Sequence, residues 1–361
     1  MPKDGHTRLL DDSVTIQFQF YSEIWRRKLL RPSESAEPNE YFIFLRRTLL
    51  LTSLFMSSHI IALLGPGAMG SAMALRLFSS GAGPIMTNLD GRSEAAVKRA
   101  KASGMIHASY SEIIAKCTII YSVVPPKEAG HVAEQILNAY KELAEVDRQD
   151  IIFADCNAVN PDTIKQMAQL FTGTKIRFLD GVIIGFPPSD TNNPGIYVSA
   201  HSDDLSALDV FTGISTKFGL YVIPLKGEGA GIGDASALKM SHAAIVKGTI
   251  GICAMSILAA QASSPATARG LLHAMSISQP AFLDIIVRLI PQMIPKAYRM
   301  AFEMEEVSGF VGGEASKTFE GIAKLFERVA EAHTTEKRGD DGDVDALLRF
   351  VDQSKKTLGS L

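Results

Sequence analysis

His59-Ile60-Ile61-Ala62-Leu63-Leu64-Gly65-Pro66-Gly67-Ala68-Met69-Gly70 is an apolar run that ends in a G-x-G-x-x-G loop. The loop opens directly into Ser71-Ala72-Met73-Ala74-Leu75-Arg76-Leu77-Phe78, which has the composition of a helix. Strand, glycine turn and helix in this order form the context that a dinucleotide fingerprint requires. In that reading Gly65 permits the tight turn, Gly67 lets backbone approach a pyrophosphate, and Gly70 lets helix and strand pack closely. The free N–H groups and positive dipole end of the helix face the phosphates. Pro66, Ala68 and Met69 complete the expected cofactor-binding loop.

Working outward, short apolar runs alternate with helical stretches. Gly83–Asn88, Cys117–Val124, Asp150–Asp155, Ile176–Ile183, Gly195–Ser199 and Tyr221–Pro224 read as strands; Ser93–Ala102 and Ala129–Leu143 read as helices. The pattern predicts an α/β fold, a Rossmann doubly wound and mostly parallel sheet with helices on both faces. Ligands of such sheets sit at the C-terminal strand ends. The segments Gly65–Gly70, Asn88–Ser93, Val124–Pro126 and Asn157–Pro161 all fall there.

The pattern changes at Lys226-Gly227-Glu228-Gly229-Ala230-Gly231-Ile232-Gly233, where alternate glycines make a natural hinge. From Ala235 to Gln261 there is no proline, and Ala, Met, Ile and Leu dominate. This predicts one long helix, apolar on most faces and buried on several sides. Lys239 and Lys247 leave only a short uncharged run, which argues against a membrane span. The remainder reads as helical, with breaks at Pro265, Pro280, Pro291 and Pro295. The expected organisation is an extension over 1–55, a dinucleotide-binding domain over 56–226, and an all-α domain over 227–361 for substrate binding and dimerisation.

Composition narrows the class. The 361 residues suffice for about two domains. Lys and Arg total 36 against 39 Asp and Glu, for a net charge of −3, so no global basic field invites nucleic acid. Cys117, Cys156 and Cys253 are widely spaced in apolar stretches and fit neither a metal site nor a disulfide framework, which favours a reducing, cytoplasmic setting. Residues 1–55 mix apolar runs with Arg26-Arg27-Lys28, Arg46-Arg47 and a Pro/Ser/Glu-rich stretch. Met56-Ser57-Ser58 precedes the first strand at the spacing of a chain start. The segment therefore reads as a dispensable extension, with a targeting or membrane-surface role as the alternative.

Four motifs together resemble the 6-phosphogluconate dehydrogenase / 3-hydroxyisobutyrate (β-hydroxyacid) dehydrogenase superfamily, and within it a phosphogluconate-dehydrogenase-like member with a divergent C-terminal domain. They are the Gly65–Gly70 loop, Ser122-Val123-Val124-Pro125-Pro126, Asp155-Cys156-Asn157-Ala158-Val159-Asn160-Pro161, and Lys239-Met240-Ser241-His242. The resemblance spans about Met56 to Glu331. It implies that Lys239 exchanges a proton with substrate while hydride moves to or from a nicotinamide. A buried lysine suits that task because burial lowers its pKa. His242, three residues on, shares its helix face and is a candidate to bind substrate or orient Lys239; Lys247 reads as structural. Val124, Pro125 and Pro126 lie beside the nicotinamide in this reading, and Asn157, Ala158 and Gly185 are the expected substrate contacts.

Three positions depart from the superfamily. Its asparagine four residues after the lysine is Ala243 here, its loop serine is Ile184, and the acid of phosphogluconate dehydrogenases is Val246. Each removes a polar contact, so a sugar acid would bury hydroxyls without partners. A less polar carbonyl, hydroxy acid or imine fits better. At the second strand Asn88 takes the usual acid position, while Arg92-Ser93 resembles a turn for a 2′-phosphate. Asp90 reads as a second ribose contact or as a helix cap. NADP is favoured, with NAD as the alternative. The expected function is an NADP-dependent oxidoreductase acting as a homodimer on a small molecule; the alternatives are an imine reductase and a non-catalytic dinucleotide-binding protein. No metal, nucleic acid or membrane partner is expected.

Overall fold

A computed structural model describes residues 60–335 and 342–359. The expectations for the 1–55 extension lie outside the described residues. Among the described residues, eight strands form one sheet: β1 (Ile61–Leu64), β2 (Ile85–Thr87), β3 (Met105–His107), β4 (Ile119–Ser122), β5 (Ile151–Asp155), β6 (Ile176–Ile184), β7 (Gly195–Ala200) and β8 (Tyr221–Pro224). Their spatial order is β3-β2-β1-β4-β5-β6-β7-β8. β1 to β6 run parallel, β7 is antiparallel to β6, and β8 is parallel to β7. The chain leaves β1 for β2 on one side and returns to β4 on the other, which makes a crevice at the C-terminal end of β1.

Helices α1 (Ala68–Ser79), α2 (Glu94–Ala102), α3 (Tyr110–Lys116), α4 (Ala129–Glu142), α5 (Pro161–Leu170) and α6 (Leu205–Lys217) cover the sheet. Two cores result, one per face. Met73 and Leu77 of α1 pack with Ile61, Leu63 and Phe211 on one side. Ile113, Val132, Ile136 and Ile164 pack with Ala62, Ile120 and Phe153 on the other. The fully buried central strands are apolar runs because both faces are covered.

The helical part comprises α7 (Asp234–Ser263), α8 (Pro265–Ser278), α9 (Pro280–Met293), α10 (Ala297–Val311), α11 (Ser316–Thr335) and α12 (Asp343–Leu358). α7 is the expected long helix, at 30 residues. It is long and apolar enough to cross a membrane. Met240, Ile250, Ala254, Ile257 and Leu258 are instead buried against α8, α9, α10 and α11, so it serves as a core helix. Pro265 and Pro280 start helices, as expected. Pro291 does not break one: it lies in the last turn of α9, so the one bond its missing N–H forgoes comes as the helix ends. Gly227, Gly229 and Gly233 all have positive φ, so the glycines before α7 do turn the chain.

Candidate functional site

The loop after β1 separates three glycine roles. Gly65 has φ +102°, and a Cβ there would fall 2.1 Å from the Val123 carbonyl oxygen. A Cβ at Gly70 would fall 2.1 Å from the Gly65 carbonyl oxygen and 3.0 Å from a Leu63 methyl. The fold itself demands both glycines. Gly67 has ordinary extended backbone, φ −72° and ψ −177°, and a Cβ there would meet nothing within 4 Å. The missing side chain leaves open space over the first turn of α1. That turn has no side-chain cap and no acidic residue. Ser71 Oγ, within it, and Thr87 Oγ1, at the end of β2, are buried without a partner among the described residues. An open cradle, an uncapped positive helix end and an orphaned hydroxyl fit a bound pyrophosphate.

At the β2 end the expected residues cluster. The Asn88 amide donates to Asp90 at 2.9 Å and to the Ala108 carbonyl at 3.3 Å, and the Asp90 N–H donates back to Asn88 at 3.2 Å. Asp90 does not cap α2. Ser93 does, accepting the Ala96 N–H, because Asp90 is held by Asn88 and by His107 at 3.7 Å. Arg92 pairs with Glu128 at 3.0 Å. Sequence reasoning missed Arg99, whose Nε donates to the Pro66 carbonyl at 3.1 Å and so reaches the glycine loop from α2. Nothing local in the sequence marks it, because the contact joins two separate elements.

Between β4 and β5 sits Asn157, 3% exposed. Its Oδ1 accepts the Val124 N–H at 2.7 Å, and its amide donates to Ser122 Oγ at 3.0 Å and Asp155 Oδ2 at 2.7 Å. Both amide hydrogens are taken within the protein. Asn157 therefore ties the strand ends together and shapes the Val124-Pro125-Pro126 turn, and does not offer a free amide to substrate. Neighbouring Ala158 is half-buried, and the next N–H but one, that of Asn160, donates to Glu306 of α10 at 2.8 Å.

β6 places the lysine. Asp180, fully buried, lies in register with Asp155 across β5 and β6. Its carboxylate accepts the Gly233 N–H at 3.1 Å, the Ser236 N–H at 3.1 Å, Ser236 Oγ at 2.8 Å and Ser199 Oγ at 3.1 Å. Ser199 Oγ in turn accepts the Ala235 N–H at 3.2 Å. A carboxyl group thus collects the free donors at the start of α7. Burial, opposed by these hydrogen bonds, still pushes its pKa up. Three residues further along β6, the Ile183 carbonyl accepts from Lys239 Nζ at 2.8 Å. One strand thereby holds both the helix start and the lysine tip. Gly185 follows at φ +131° and carries the chain past Pro194.

Burial, and then the nearby Arg299 charge, lower the Lys239 pKa below the usual lysine range. An ammonium has three donors, and Ile183 uses one. His242 is exposed one turn on; burial, then Lys239 and Lys247, push its pKa down. It therefore faces the same cationic surroundings, while no hydrogen bond joins it to Lys239 among the described residues. Lys247 forms an ion pair with Glu303 of α10, as suits a structural lysine. Sequence reasoning missed Arg299, one turn before Glu303, because nothing local ties α10 to α7.

The crevice at the C-terminal end of β1 and the half-buried lysine held at the end of β6 belong to a dinucleotide-binding, hydroxyacid-dehydrogenase-like fold. Residues 60–220 match the family model of the NAD binding domain of 6-phosphogluconate dehydrogenase, and residues 262–329 match a domain of unknown function, DUF1932. The chain carries a 6-phosphogluconate-dehydrogenase-type NAD(P)-binding domain followed by that helical domain. No curated protein matches it by sequence. Solved structures share the fold. A conserved hypothetical protein from Sinorhizobium meliloti superposes with TM-score 0.61 at 19% identity, covering 84% of this chain and 97% of its own. A conserved protein of unknown function, described as structurally similar to 3-hydroxyacid dehydrogenases, gives 0.57 at 23% identity, covering 76% and 98%. The Mycobacterium tuberculosis 3-hydroxyisobutyrate dehydrogenase, with L-serine, gives 0.51 at 16% identity, covering 82% and 98%.

Proposed function

We propose that the protein is an NADP-dependent oxidoreductase acting on a small carbonyl or hydroxy compound, with Lys239 as proton donor and acceptor. The observation that carries this reading is Lys239 itself, a half-buried lysine with depressed pKa and, among the described residues, two unspent donors at the strand ends. The nicotinamide, when bound, supplies or takes the hydride. Gly67 and the first turn of α1 hold the phosphates, with Arg99 at the rim of the loop. Arg92 pairs with the 2′-phosphate as a charge-assisted contact. Val124 and Pro125 bound the nicotinamide side, fixed from below by Asn157.

Lys239 gives its proton to the substrate oxygen in reduction and recovers it in oxidation. Its lowered pKa brings loss of that proton closer to neutral pH. Ile184 and Ala243 stand where the superfamily has polar groups, which suits a compact substrate with few hydroxyls. Spectrophotometric NADPH oxidation with a panel of small oxo acids, ketones and imines tests the reading. Turnover of an oxo acid or ketone is expected. Turnover of imines alone would make it an imine reductase, and tight cofactor binding with no turnover on any class would make it a binding protein.

A further inference from the structure

The Arg92–Glu128 ion pair crosses the crevice. Arg92 comes from the turn after β2, and Glu128 from the turn after β4; these strands flank β1 on opposite sides. Their contact, at 3.0 Å, joins the two lips over the C-terminal end of β1. Each side chain is about one-third exposed, at 28% and 34%, so both remain accessible to a ligand. Tyr110 lies within electrostatic reach of Arg92, Asp90 and Glu128. Around Tyr110 stand one guanidinium and two carboxylates, and the guanidinium is paired with that of Glu128.

We propose that Glu128 is a cofactor-discriminating residue: its carboxylate claims Arg92 and opposes the additional phosphate that distinguishes NADPH from NADH. The inference rests on the reading that Arg92 meets the 2′-phosphate. A phosphate monoester carries nearly two negative charges at neutral pH. It must share Arg92 with Glu128 and approach Asp90, whereas a ribose 2′-hydroxyl adds no charge and can donate to either carboxylate. The protein therefore discriminates between the two cofactors less sharply than an unopposed Arg92 would. The neutral residue Asn88 at the end of β2 leaves this balance to the Arg92–Glu128 pair.

Glu128→Gln keeps the shape and an acceptor oxygen but removes the charge. Calorimetric titration of the full chain with NADPH and NADH reads the effect as a ratio of affinities. The ratio is expected to move about tenfold toward NADPH, and the shift is expected to shrink in 0.5 M salt, where about 4 Å of screening length remains. A ratio unchanged from wild type, or equal weakening of both cofactors with a lowered melting temperature, overturns the proposal. Arg92→Ala separates the two readings. Should Arg92→Ala shift the ratio toward NADH while Glu128→Gln leaves it fixed, Arg92 keeps its role and Glu128 loses its own. Should Arg92→Ala leave the ratio unchanged, the 2′-phosphate reading falls first.

Discussion

Asp155 closes β5 with no exposed surface, and burial raises its pKa to about 7 against the hydrogen bonds from Asn157 and Ser122; Asp180 beside it adds repulsion. A carboxyl whose pKa rises on folding binds its proton more tightly in the folded state. Its stabilising contribution is complete below about pH 4 and is lost as pH rises through about 7. Asp155→Asn removes that titration. The melting temperature of wild type is therefore expected to fall relative to Asp155→Asn between pH 4 and pH 7.5, and parallel curves would contradict the assignment. The aspartate was legible in sequence only as part of the Asp155–Pro161 motif. That its neighbour in register is Asp180, 25 positions away, follows from strand pairing alone, which no local pattern encodes. The same holds for Arg92–Glu128, Arg99–Pro66 and Lys239–Ile183, each a contact between separate elements.

Elements were legible in proportion to their length and periodicity. The β1–loop–α1 unit and α7 stand where the sequence places them. β3, at three residues with two exposed, and α3, at seven residues, carry too short a pattern to separate from a loop. The glycine loop shows how motif and structure divide the work. Gly70→Ala drives a methyl into the Gly65 carbonyl and is expected to destabilise the fold by about 2 kcal/mol or more. Gly67→Ala meets open space at an unstrained φ. It is expected to leave the melting temperature within about 1 °C while weakening cofactor binding about tenfold or more, because its methyl intrudes on the phosphate approach. Thermal melts beside cofactor titrations check both. Unchanged binding in Gly67→Ala would remove the loop from the cofactor site. Equal melting of wild type and Gly70→Ala would refute the packing argument.

At the scale of the molecule, α7 organises the helical part yet leaves part of its surface open. Ile245 is 71% exposed, Ile252 49% and Met255 44%. These lie seven and three residues apart, along one side of the helix. We propose that a second copy covers this stripe in a two-fold dimer. Sedimentation at micromolar concentration is expected to give a dimer that Ile245→Glu with Ile252→Glu converts to monomer; a monomeric wild type would refute it. The meeting of sheet and helices is also what creates the site. β6 seats Asp180, which holds the start of α7, and Ile183, which holds Lys239, and α10 adds Arg299. The measurement that tests the central claim most directly is the turnover of Lys239→Met, which keeps side-chain length and packing but removes the proton. With the substrate found by the oxidation panel, kcat is predicted to fall by about two to four orders of magnitude, with NADPH affinity within a few-fold of wild type. Near-full turnover by Lys239→Met would contradict the account and assign the proton to another group or to water.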